Sequence, residues 1–163
     1  MDSALRLLRA LTRLEAGLAA LALTVLVCIL AADVVAVDVF STGVRAAPQI
    51  AVLSNILACM LGLTLATSAG AHFRPTFADW CAPFTWADRL GDAISAVLFA
   101  AFSVVSVDFV LQSRSYADRV PVLGLPLWPL QVIVPYVLAS CAIKHAVFAL
   151  SPKTKDALSE GAQ

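Results

Sequence analysis

Asp33, Asp38 and Asp108 interrupt long apolar stretches of this chain. Asp33 lies a turn or two inside one end of the first stretch, Asp38 lies near its rim, and Asp108 lies at similar depth in the third. A carboxylate at such depth is costly, and the chemistry it suits is ion coupling or a proton relay. The competing reading is a salt bridge to Arg45, Arg114 or Arg119, which the sequence places at the same level, or contact with water at the rim. With three arginines to hand, pairing is favoured. Asp33, the deepest, is expected to face protein and not lipid.

A second group gathers at the opposite level. His72, Arg74, Asp79, Arg89 and Asp92 could form a polar cluster, with Lys144 and His145 nearby. Two histidines raise the question of haem or a metal, but neither sits among cysteines or carboxylates at ligand spacing. Hydrogen bonding at the interface, or contact with phospholipid headgroups, fits better. The cysteines at 28, 59, 81 and 141 form no CxxC pair. Cys28, Cys59 and Cys141 lie inside apolar runs and are read as buried packing residues. No nucleophile has an activating base and no glycine-rich phosphate loop appears, so no catalytic site, cofactor or metal is expected.

The elements that position these residues follow from composition. Apolar residues make up 61% of the 163 and charged ones 13%, against roughly 45–50% and about 25% in soluble domains. One domain of this size cannot hide that much apolar surface, so the excess faces lipid. Zero net charge gives no reason to expect nucleic acid. Four runs are long enough to span, about 15–40, 49–69, 90–111 and 127–150, within a single membrane domain covering 1–163. The expected fold is all-α and integral to the membrane, with four transmembrane helices in two hairpins. The stretch 68–86, with prolines at 75 and 83, forms the central turn and a short membrane-surface segment. Arg6, Arg9 and Arg13 at i, i+3 and i+7, opposite Ala4, Leu7, Leu8 and Leu11, suggest either an N-terminal amphipathic helix lying on the membrane or a basic flank to the first span. Pro121, Gly124 and Pro126 exclude regular helix from the loop 112–124. Gly62, Ala66 and Gly70 offer a small-residue face for close helix packing.

Orientation follows from basic residues. Eight lie at the termini and in the central loop, against Arg45, Arg114 and Arg119 in the other two loops. This excess puts both termini in the cytoplasm. Trp80 and Trp86 then mark the inner interface and Trp128 the outer.

Two stretches carry a family resemblance. One is Gly70-Ala71-His72-Phe73-Arg74 with Phe77 and Asp79, and the other is Leu125-Pro126-Leu127-Trp128-Pro129-Leu130-Gln131 running on through Pro135 to Lys144-His145. Together they resemble the small, DctQ-type membrane subunit of tripartite ATP-independent periplasmic (TRAP) transporters. The likeness is looser in the first half, where Val37-Asp38-Val39-Phe40 and Ala47-Pro48-Gln49-Ile50 depart from the family pattern. The resemblance implies a non-catalytic subunit of an uptake system in the bacterial inner membrane. A periplasmic solute-binding protein would deliver an organic acid or similar solute. A large permease subunit would move it by an elevator motion, driven by a sodium or proton gradient. The small subunit would be a static scaffold, and Arg45, Arg114, Tyr116 and Arg119 are the residues best placed to receive the binding protein. The rival readings are a stand-alone four-helix transporter or channel using Asp33, and a membrane redox enzyme, which would need paired periplasmic cysteines.

Overall fold

The computed structural model describes residues 2–69 and 85–151, with side chains from Arg6 and from Arg89 onward in the two stretches. Within them run α1 (Asp2–Phe40), α2 (Ala47–Ser68), α3 (Thr85–Ser115), the single turn α4 (Trp128–Gln131) and α5 (Ile133–Leu150). Four segments are long and apolar enough to cross a membrane: α1 from Arg6, α2, α3 from Arg89, and α4 with α5. No strand occurs among the described residues, only an isolated bridge between Arg119 and Pro126. The all-α membrane architecture is as the composition required.

The helices form two hairpins laid side by side. α1 packs along α2, α3 packs along α5, and α2 meets α5 between them. Side chains at 8, 11, 12, 15, 19, 22, 26, 29, 33 and 36 are the shielded ones on α1, and from 8 through 12 to 36 they recur about every 3.5 residues. That spacing turns a single seam toward the neighbouring helices. Most of the other described side chains of α1 beyond Arg13 are exposed and apolar, including Leu14, Leu21, Val27 and Val34. α5 is the opposite case, an inner helix burying Val137, Ser140, Cys141, Lys144, His145 and Phe148.

Several expectations change. α1 is one uninterrupted helix of 39 residues, about 58 Å long at 1.5 Å per residue, nearly twice the hydrocarbon thickness. Its basic first turns are not a separate helix lying on the membrane. Nothing between Arg13 and Glu15 breaks the helix, and Leu8 packs on Phe148 and Val147 at the end of α5. Thr12 Oγ1 meets Ser68 Oγ at 3.2 Å. α3 continues through Gln112–Ser115, because the first proline of the following loop is still six residues away. The last span is jointed at Val132, where Pro135 lacks the amide that would bond the Gln131 carbonyl.

The close-packing face of α2 also differs from the expected one. A Cβ added to Gly62 would meet nothing within 4 Å, while Gly70 lies outside the described residues. The buried stripe is instead Ala47, Ala51, Ser54, Ala58 and Leu61. Its small side chains let the α2 backbone approach its neighbours. Of the described cysteines, only Cys141 is inside the bundle. Cys28 and Cys59 point outward, where lipid is as apolar as a core. Cys81 lies outside the described residues.

Candidate functional site: a buried charge clamp between the hairpins

The most polar place inside the bundle is built on α5. Residues 140, 141, 144, 145 and 148 fall on adjoining positions of a helix, and all five are buried. Lys144 points from this face toward the first hairpin. Its Nζ donates to Glu15 Oε2 at 2.6 Å and to the Thr64 carbonyl at 3.1 Å. Glu15 and Lys144 are 0% and 1% exposed, so the pair is cut off from solvent. The other carboxylate oxygen, Oε1, accepts from Ser140 Oγ at 2.7 Å and from the Tyr136 hydroxyl at 3.4 Å. The site therefore ties α1, α2 and α5 at one level, four residues short of the end of α2.

Such a pair is not by itself evidence of added stability, because desolvating two ions offsets their attraction. What it does is make the register obligatory. Sliding α5 along the first hairpin would strand a buried ammonium and a buried carboxylate at once. Hydroxyls around it extend the same logic. Ser68 Oγ donates to the Thr64 carbonyl at 3.0 Å, and Thr67 Oγ1 reaches both the Leu63 carbonyl and Cys141 Sγ.

One position along α5, His145 points to the other side. Its Nδ1 lies 3.0 Å from Asp92 Oδ1 on α3. An ionised carboxylate only accepts, so Nδ1 carries the proton. The ring stacks on Phe99 with centroids 5.5 Å apart and 13° between planes, and it meets Phe148 edge-on. Lys144 thus holds the hairpins together, while His145 holds α3 to α5. No group of three or more His, Cys, Asp or Glu that could hold a metal occurs among the described residues.

Of the cluster expected at this level, the structure brings together Asp92, Lys144 and His145. Arg89 is exposed, and His72, Arg74, Asp79 and Trp80 lie outside the described residues. Trp86 belongs to α3, but its side chain is not among those described. Glu15 was missed. Its position marks the start of a span, and Lys144, placed in the polar cluster, had no partner assigned on the first span. The available signal was the seam itself, since Leu8, Glu15 and Ala22 are seven residues apart.

At the other end, Asp33 does not pair with an arginine. Its Oδ1 accepts from the Val44 amide at 2.6 Å, closing the loop between α1 and α2. The loop lies so tight that a Cβ on Gly43 would sit 3.1 Å from the same oxygen. Asp33→Asn keeps an acceptor and should leave the unfolding midpoint within a degree or two. Asp33→Ala strands the amide and should cost about 1–3 kcal/mol, read as a lowered midpoint in detergent. Asp108 is exposed on α3, and no partner for its carboxylate occurs among the described residues. Arg114 lies over the Trp128 ring at 5.4 Å, and Arg119 Nη1 donates to the Gly124 carbonyl at 3.2 Å. Gly124 has the left-handed φ of +64° that this reversal requires. Gln49 Oε1 accepts from the Val122 amide, joining the first turn of α2 to the loop after α3. Arg45 and Tyr116 stay exposed beside them.

Four spans clamped by internal charge pairs define a small multi-pass membrane protein. Residues 26–152 match the family described as tripartite ATP-independent periplasmic transporters, DctQ component, and the chain belongs to that family. It is a TRAP transporter small membrane subunit. No curated protein and no solved structure matches it.

Proposed function

We propose that this chain is the fixed, non-catalytic part of an ion-gradient-driven uptake system for an organic acid or similar solute. It braces a large permease subunit in the bacterial inner membrane, with both termini in the cytoplasm. The observation that carries this reading is what the buried charges do. Glu15, Lys144, Asp92 and His145 are engaged with one another across helices, so they lock a register instead of lining a route. An elevator-type partner needs such a wall to move against. The long α1, extending past one face of the bilayer, resists vertical slippage. Two arms test the reading. The chain should co-purify from its own cells with a large multi-span permease subunit, and alone in liposomes it should transport nothing above background. Uptake by the isolated chain would overturn it.

The loop end is the docking face for the periplasmic solute-binding protein. Arg114, at the end of α3, is occupied by Trp128 of α4 and Arg119 by its own loop, which leaves Arg45 and Tyr116 as the contacts free to serve a visitor. Arg45→Glu with Tyr116→Ala should slow binding-protein-dependent uptake at least fivefold while the membrane complex stays assembled. Unchanged uptake would remove the docking role.

A further inference from the structure

α3 has two seams. The inner one, Asp92, Phe99, Ser103, Ser106, Val110 and Ser113, is shielded against the bundle. At 100° per residue, the direction opposite Ser106 and Val110 is that of Asp108. The outward line runs Val97, Ala101, Val104, Asp108 and Leu111, steps of four, three, four and three residues, which is the spacing of a helix–helix contact. Every one of these positions is exposed, Val97 and Val104 at 69% and 67%.

A stripe of apolar side chains on a spanning helix says nothing about what covers it. The carboxylate does. Asp108 lies six residues before Arg114, about 9 Å along the axis. Arg114 sits over Trp128, a residue type that marks the membrane–water boundary. Asp108 is therefore inside the hydrocarbon, on a side chain too short to reach the headgroups. Its neighbours three and four residues away are Val104, Val105, Leu111 and Gln112, none of them a cation. Arg114 is about 120° round the helix and turned to Trp128. Lipid tails offer no donor, and anionic headgroups repel a carboxylate. An ionised group left so is costly, and a cation from another protein relieves it.

We propose that the Val97–Ala101–Val104–Asp108–Leu111 line is the surface on which the large permease subunit docks, through a transmembrane helix presenting an arginine or lysine level with Asp108. This rests on the small-subunit reading and adds to it the contact face and the chemistry of the partner. Charge complementarity selects a cationic helix over lipid. It also argues against a second copy of this chain, which would bring another carboxylate to the same line.

The test uses the assembled complex. Wild-type chain is first shown to retain the large subunit through purification. Asp108→Lys should then retain at least tenfold less, with a smaller loss for Asp108→Asn. The purified Asp108→Lys chain alone should keep the wild-type unfolding midpoint, because the side chain touches nothing inside the bundle. A photo-crosslinking residue at Val104 should attach to the large subunit, whereas one at Leu21, outward on α1, should not. Reversing the cation on the crosslinked permease helix to aspartate should restore retention by Asp108→Lys. If wild type retains the permease but Asp108→Lys does so equally, or Val104 crosslinks only to lipid or to a second copy, the docking face is wrong and the small-subunit reading stands. If wild type retains no permease, both fall.

Discussion

Lys144→Ala should lower the stability of the purified chain by about 3–5 kcal/mol. In a chain of this size that is a fall in unfolding midpoint on the order of 10 °C. The reason is the carboxylate left behind. Glu15 is wholly buried and would keep only the Ser140 and Tyr136 hydroxyls, while the Thr64 carbonyl would lose the ammonium. Glu15→Gln should be milder, since the amide oxygen still accepts from Ser140. The double change Glu15→Leu with Lys144→Met should come within about 1 kcal/mol of wild type, because removing both charges also removes the desolvation penalty. Such a cycle separates a register clamp from a simple source of stability. Cys141, one turn from Lys144 and buried, supplies a local readout. Its alkylation should quicken in Lys144→Ala and return to the wild-type rate in the double variant. A single variant no worse than the double would refute the clamp.

How much of this was legible depends on the kind of contact. The four spans follow from length and apolarity, which are local properties. The seam of α1 was equally local, yet Glu15 on that seam was read as a boundary because a charge near the end of an apolar run looks like a flank. Its partner is 129 residues away, and no periodicity in either segment names the other. The small-residue pattern shows the same limit. Gly62–Ala66 and Ala47–Ala51–Ser54–Ala58 both satisfy the spacing for close approach, and only the positions of the neighbouring helices α1 and α5 decide which is used. Asp33 was expected to seek an arginine, but a backbone amide lay nearer in the same loop. Short range won over charge. The resemblance rested on one stretch within the central turn and one leading into the last span, and the family match runs across residues 26–152.

The pair on the other side of α5 should respond differently, and the asymmetry is the useful part. Asp92→Asn keeps an oxygen that can accept from His145 Nδ1, so it should cost under about 1 kcal/mol. His145→Phe retains an aromatic ring for Phe99 and Phe148 but takes the Nδ1 donor from a carboxylate only 6% exposed. The loss of a hydrogen bond to a buried charged group should cost about 1.5–3 kcal/mol. Adding Asp92→Asn to His145→Phe should recover more than half of that, because a neutral amide that has lost one donor is cheaper to bury than a carboxylate that has lost it. Unfolding midpoints of the four proteins give the coupling directly. The consequence for assembly follows from where α3 lies. Held by His145 on its inner seam, it presents Asp108 and its neighbours outward, so loosening the inner contact should weaken permease retention without any change on the outer face. Retention that falls in step with the midpoint across these variants would tie the inner pair to partner binding. Retention at the wild-type level in His145→Phe would show that α3 keeps its outward line by backbone packing alone.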